Sequence, residues 1–239
     1  MATLLCSLAC IFSSDLCHIH RIDCLFSPKF YTALILLQNF ELGVRVPLII
    51  RTPWIPKSIG KKTSALAEAV DLFLTFVAVS GLGAAVQLPK TQELQGFSLL
   101  PILEDPPSTG VGLRQYAFSQ FAKGMQHSKE LGKSVPWNVC TKCNRSTDIA
   151  YMGYSIRDDR WRFTQWVAWD GPTLRPLWNG TAEFDAQELY DHHGDFGADF
   201  DNATATVNLV AEAQYAGVVA RLAAALRAKF QGDHEPPQQ

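Results

Sequence analysis

The sequence predicts an α/β chain that becomes α+β in its second half, where a small antiparallel sheet is packed by a C-terminal helix. Three observations predict this. Val46 to Arg51 is an almost wholly apolar run with Pro47 and Pro53 near its ends, the composition of a strand buried on both faces inside a parallel sheet. Met152 to Arg157 and Trp161 to Trp169 flank Asp158-Asp-Arg160, a hairpin signal with Asp in the turn. Leu209 to Phe230 carries Val218, Val219, Leu222, Ala225, Leu226 and Phe230 at helical spacing, one apolar stripe for the sheet to pack against.

The elements follow in order. After the Val46 to Arg51 run, Pro53 to Lys62 is a loop rich in Pro, Gly and Lys. A helix is then expected, capped by Asp71, with Leu72, Phe73, Phe76 and Val77 recurring on one face and Gly81 ending it. Strand, loop and covering helix is an α/β pattern. Leu94 to Leu103 leads to Glu104-Asp-Pro-Pro-Ser-Thr-Gly110, a Pro-rich break that marks a subdomain boundary. Beyond it, Gln115 to Phe121 and Glu188 to His192 read as strands on either side of the hairpin. In the hairpin's second strand Trp161, Phe163, Val167 and Trp169 share a face with Gln165 as the exception, while Arg162, Thr164, Trp166 and Ala168 take the other. That alternation predicts a half-buried sheet with an aromatic inner side. Arg227 and Lys229 near the end of the last helix favour its dipole.

Composition excludes several roles. The chain has 239 residues, 47% of them apolar, and a formal charge of −2, so it has no electrostatic pull toward nucleic acid or anionic membrane. The longest uncharged apolar run, Leu72 to Val86, has 15 residues, short of the roughly 20 that a bilayer span needs. No Gly-rich phosphate loop, Gly-x-Ser-x-Gly elbow or His-Glu-x-x-His occurs. Cys6, Cys10, Cys17 and Cys24 crowd the start, and no further cysteine comes before Cys140 and Cys143. Leu4 to Phe12 has the apolar core of a signal peptide but no basic residue ahead of it. A secretion signal, an unpartnered extension and sequence foreign to the gene are all readings of this start.

Among chemistry-bearing groups, Asp158 and Asp159 are expected to be solvated turn residues rather than an acid/base pair. His192 and His193, flanked by Asp191 and Asp195, would point to opposite faces of a strand, which is poor geometry for one metal. Cys140-Thr-Lys-Cys143 has zinc or redox spacing but no second ligand pair. It is expected to be a local disulfide in a secreted chain and free thiols otherwise. Asn144, Asn179 and Asn202 each open an Asn-x-Ser/Thr acceptor for N-glycosylation.

Two runs carry a family resemblance: Phe40-Glu-Leu-Gly-Val-Arg-Val-Pro-Leu-Ile-Ile-Arg-Thr-Pro-Trp54 and Tyr151-Met-Gly-Tyr-Ser-Ile-Arg157. Leu94-Gln-Gly-Phe-Ser-Leu-Leu-Pro101, Phe118-Ser-Gln120 and Glu188-Leu-Tyr-Asp191 support them. From Asn39 to Phe230 the chain resembles the C-terminal portion of sulfatases, most of all the iduronate-2-sulfatase type. The resemblance implies an alkaline-phosphatase-like fold, sulfuric ester hydrolysis on a sulfated sugar, and a lysosomal or secreted location. It divides the chain into an unmatched leader (1–38), a remnant of the α/β domain (39–104), an antiparallel subdomain (111–232) and a disordered tail (233–239).

In that family a Cys within Cys-x-Pro-Ser-Arg becomes formylglycine, whose hydrated form attacks sulfur. Calcium held by Asp and Asn or His neutralises the sulfate oxygens, with Lys and His assisting. This sequence departs from the pattern. No Cys-x-Pro-Ser-Arg occurs, both acidic metal pairs are missing, and Leu36 stands in the register of an active-site Lys. A Leu where the family reads Pro, Leu74, is a milder change. The expectation is a sulfatase portion with no catalytic or metal-binding residues of its own, inactive alone, with calcium belonging to the full-length family. The alternative is a module that binds sulfated glycan or protein, to which Trp137, Lys142 and Trp166 would contribute.

Overall fold

The computed structural model describes residues 39–82, 94–106, 113–128, 133–139, 147–178, 186–195 and 207–231. The chain forms two compact units, Met1–Arg45 and Val46–Gln239. Within the first, α1 (Glu41–Val44) is a single turn with a Glu41–Arg45 ion pair at 3.6 Å.

In the second unit, α2 (Asp71–Val79) and α3 (Leu100–Glu104) precede the sheet. Its strands are β1 (Ala117–Ser128), β2 (Lys133–Val139), β3 (Ile149–Arg157), β4 (Trp161–Asp170), β5 (Arg175–Leu177) and β6 (Gln187–Asp191), and α4 (Ala216–Gln231) closes the chain. Strand order is β2-β1-β3-β4-β5, with β6 also pairing β4, and every pairing is antiparallel. The hairpin lies where the sequence predicts it: β3 and β4 pair from Tyr151 with Ala168 to Arg157 with Arg162. β2 and β5 carry no comparable signal in the sequence. The last helix begins later than its apolar pattern suggests. Leu209 is instead tied along β6, its N–H donating to the Leu189 carbonyl at 2.8 Å, and a 3₁₀ turn at Ala213–Tyr215 leads into α4.

The core lies between the sheet and α4. Met152, Tyr154, Ile156, Phe163, Val167 and Leu189 meet the fully buried Leu222 and Leu226. Phe230 packs on Tyr154 at 4.4 Å and on Phe118 at 6.0 Å between ring centroids. Burial pushes the Tyr154 phenol up to about 12. The face assignment of β4 holds, Gln165 included, but the sheet is not half-buried. Ser155, Arg157, Arg162, Thr164 and Trp166, on the face away from α4, are buried as well.

Two expectations before the break are overturned. Val46 to Arg51 forms no ladder among the described residues, and Val46 and Ile49 are 70% and 90% exposed. Strand formation requires a neighbour to take the backbone hydrogen bonds, and none of the described residues supplies one. In α2, Asp71 is the first helical residue rather than the cap, and the apolar stripe is not the buried one. Asp71 and Thr75 are buried, while Phe73 and Phe76 are exposed.

The reason lies in the Asp71 carboxylate. It accepts from the backbone N–H of Glu68 and of Phe97, each at 2.8 Å, and from both Nε (2.8 Å) and Nη2 of Arg114. Arg114 also pairs with Glu68 at 2.8 Å. Thr75 donates to the Asp71 carbonyl and accepts from the Leu99 N–H. A satisfied polar cluster therefore sets the helix rotation. Gly81, at φ +72°, ends the helix region as predicted.

Candidate functional site

Among the described residues, the sheet face opposite α4 carries a polar constellation that crosses several strands. Cross-strand pairing puts Lys123 beside Tyr151, Gly153 beside Trp166, and Thr164 beside Glu188. The missing side chain at Gly153 is what lets Trp166 lie flat. A Cβ there would sit 2.6 to 2.8 Å from three atoms of the indole's six-membered ring. The Lys123 ammonium rests 3.8 Å from the Trp166 ring centroid, within cation–π range. On the far side the Trp166 Nε1–H donates to Glu188 Oε1 at 2.9 Å, and the Tyr190 hydroxyl donates to Glu188 Oε2 at 3.3 Å. The result is one continuous strip, Lys123, Trp166, Glu188 and Tyr190, crossing β1, β4 and β6.

Its electrostatics follow from this packing. Burial lowers the pKa of Lys123, and the nearby Glu188 charge works against that shift. Burial raises the Tyr190 phenol, reinforced by the charge and hydrogen bond of Glu188, so it stays a neutral donor. Beside the strip, Arg157 and Arg162 are direct cross-strand partners. Arg162 Nη1 donates to Ser155 Oγ at 3.1 Å, and Ser155 Oγ lies 2.9 Å from Thr164 Oγ1.

The residues singled out from sequence fall elsewhere. Asp158 is a turn residue, as expected, but a buried one. Its Oδ1 accepts from the N–H of Arg160 (2.9 Å) and Trp161 (2.5 Å), and Oδ2 takes Arg221 of α4 at 2.7 Å. Asp159 is exposed. His192 is buried with Nδ1 3.0 Å from Asp195 Oδ2, whereas His193 is exposed and Asp191 is paired with Arg160. His192 and Asp195 belong to an acidic and histidine group able to offer ligand atoms to a metal ion.

Cys140, Cys143, Asn144, Asn179, Asn202 and Lys142 lie outside the described residues, and the side chain of Trp137 does too. Trp166, offered as a glycan contact, is 2% exposed and sealed by Lys123 and Glu188. Sequence reasoning missed Lys123, Glu188 and Tyr190 as partners of Trp166. The period-2 alternation of their strands was the available signal, but the register that aligns them was not.

No protein-family profile matches the chain. It is 28% identical to iduronate 2-sulfatase of Mus musculus over 167 residues, which is 56% of this chain and 29% of that protein. The matched part is thus less than a third of the curated relative's length. Two solved structures share 18% identity: a sulfatase candidate from Bacteroides thetaiotaomicron and a 2-O GAG sulfatase. Each alignment covers 70% of this chain and 26% of the other, at TM-scores of 0.40 and 0.39 respectively. The runs around Phe40 and Tyr151 and the curated likeness agree, and the chain is similar to part of iduronate 2-sulfatase.

Proposed function

We propose that this chain supplies the sheet-and-helix part of a sulfatase acting on sulfated sugars, and that on its own it does not hydrolyse sulfate esters. The carrying observation is chemical. None of the six cysteines has the Pro two places on that Cys-x-Pro-Ser-Arg requires, so the formylglycine nucleophile cannot arise from this sequence. The relation brings with it a lysosomal or secreted location, and with that a Cys140–Cys143 disulfide and glycans at Asn144, Asn179 and Asn202. No helix among the described residues is long and apolar enough to cross a membrane.

The test is fluorogenic sulfate release. With calcium and 4-methylumbelliferyl sulfate, the purified chain should stay at the buffer background. Turnover that scales with protein and survives further purification would overturn the proposal. A second reading, binding without catalysis, is favoured by one observation: the Lys123 ammonium held on the Trp166 ring.

A further inference from the structure

We propose that Lys123 is an oxyanion receptor, its ammonium taking a sulfate or carboxylate oxygen of an acidic saccharide on the sheet face opposite α4. The inference rests on the sulfated-sugar reading above and names the residue that would make the contact.

The ammonium is held in place but not satisfied. It is half-buried and seated on the Trp166 ring, yet it has no hydrogen bond or ion pair among the described residues. A lysine head carries three donors and no acceptor, and ammonium groups drawn from water ordinarily find oxygen partners. Glu188 is the nearest candidate, but its two oxygens are turned to the Trp166 indole and the Tyr190 hydroxyl. Trp166 in turn cannot move aside, because its ring is pressed on Gly153 and pinned through Nε1.

The backbone supports the same assignment. The ladder slips immediately after Lys123 on both of its neighbours: between Lys123 and Gly124 against β3, and between Gly124 and Gln126 against β2. Bulges of this kind re-aim side chains and are enriched beside functional sites. Charge selects the ligand, since an ammonium has three donors and no acceptor and pairs with an anionic oxygen. The spare lone pairs of Glu188 suit sugar hydroxyls next to the anionic group. An acidic sugar fits both halves of the strip, whereas a simple apolar ligand would leave the ammonium dry and unpaired.

The experiment is isothermal titration of the full chain with three probes: a sulfated uronate disaccharide, the same disaccharide without sulfate, and inorganic sulfate. The sulfated disaccharide should bind. Lys123→Met, and separately Lys123→Gln, should weaken it by about tenfold or more, the scale of a lost charge-assisted hydrogen bond, with the melting temperature within about 2 °C of wild type on the scale of a surface change. Equal binding of the desulfated sugar would assign the contact to its carboxylate, and binding of the sulfated form only would assign it to sulfate. Failure of the wild-type chain to bind any probe, or neutral variants that bind within about twofold, would overturn the inference. Sulfate release by the isolated chain is a separate result, which would sink the catalytic reading and leave the Lys123 measurement standing.

Discussion

Asp71→Asn is the substitution by which the structure is most severely tested. The carboxylate is wholly buried, and four donors meet it: two backbone N–H groups and the two arms of the Arg114 fork. An amide keeps only one accepting atom. Its NH₂ would face either the Glu68 N–H and Arg114 Nε–H, or the Phe97 N–H and Arg114 Nη2–H. Two hydrogen bonds are then replaced by donor–donor contacts, and Arg114 is left buried with Glu68 as its ion-pair partner among the described residues. Removing one partner of a buried pair costs about 3–5 kcal/mol, which at about 2–4 °C per kcal/mol lowers the melting point by roughly 6–20 °C.

The pH dependence separates a charge effect from a packing effect. Burial alone would raise the Asp71 pKa. The Arg114 hydrogen bonds, those from Phe97 and Glu68, and the Arg114 charge outweigh it and hold the group below its ordinary 3.8. A carboxylate whose folded pKa is depressed contributes stability that is present above the unfolded pKa and lost as pH falls through the folded one. Urea unfolding of wild type and Asp71→Asn should therefore show the full gap at neutral pH, narrowing below about pH 4. Arg114→Leu in both backgrounds closes a double-mutant cycle, with a coupling of about 1–3 kcal/mol expected. A neutral-pH gap under about 0.5 kcal/mol, the ordinary size of a surface change, would refute the claim that this carboxylate fixes α2.

Two further outcomes follow from the sheet. Gly153→Ala drives a Cβ into the pinned Trp166 ring and should cost about 1–3 kcal/mol by overpacking. Chemical denaturation would show it, and Trp166→Leu in the same chain should recover part of the loss. Gln165 lies on the α4 face, 4% exposed, and its Oε1 has no hydrogen-bond partner. Gln165→Met, of similar volume, should raise stability by about 1 kcal/mol, since an unmet buried acceptor costs about 1–3. A drop in melting temperature would count against that reading.

What could be read from the sequence was whatever is encoded locally. The hairpin's alternation gave both faces of β4 residue by residue, and the stripe of α4 identified Leu222 and Leu226 as inward. The register around Trp166 was not legible, because its partners lie on β1 and β6 and are fixed only when the strands align. The rotation of α2 was lost for the same reason. Helical spacing grouped Leu72, Phe73, Phe76 and Val77 but could not say whether that group faces inward. The deciding partner, Arg114, is 43 positions from Asp71. Asp158 shows a subtler failure: two adjacent Asp residues suggest a wet turn, and only the arrival of Arg221 from α4 explains why one of them is dry.

The two parts of Val46–Gln239 differ in how they meet the cost of burial. β3, β4, β6 and α4 bury apolar side chains against each other, and the polar groups of the opposite face find partners in register. That is the condition for a cooperative unit, because a buried polar network stabilises only when its members are satisfied. Val46 to Leu82 meets the same requirement differently. It is anchored by one polar cluster at Asp71, while Val46, Ile49, Trp54, Phe73 and Phe76 remain in water. Exposed apolar area of that kind contributes nothing to folding, at about 25 cal/mol per Å² left unburied. The sheet and its helix hold the fold, and the candidate anion site was built where stability is already secured. A half-buried, unsatisfied ammonium such as Lys123 can be tolerated only on a scaffold with that margin.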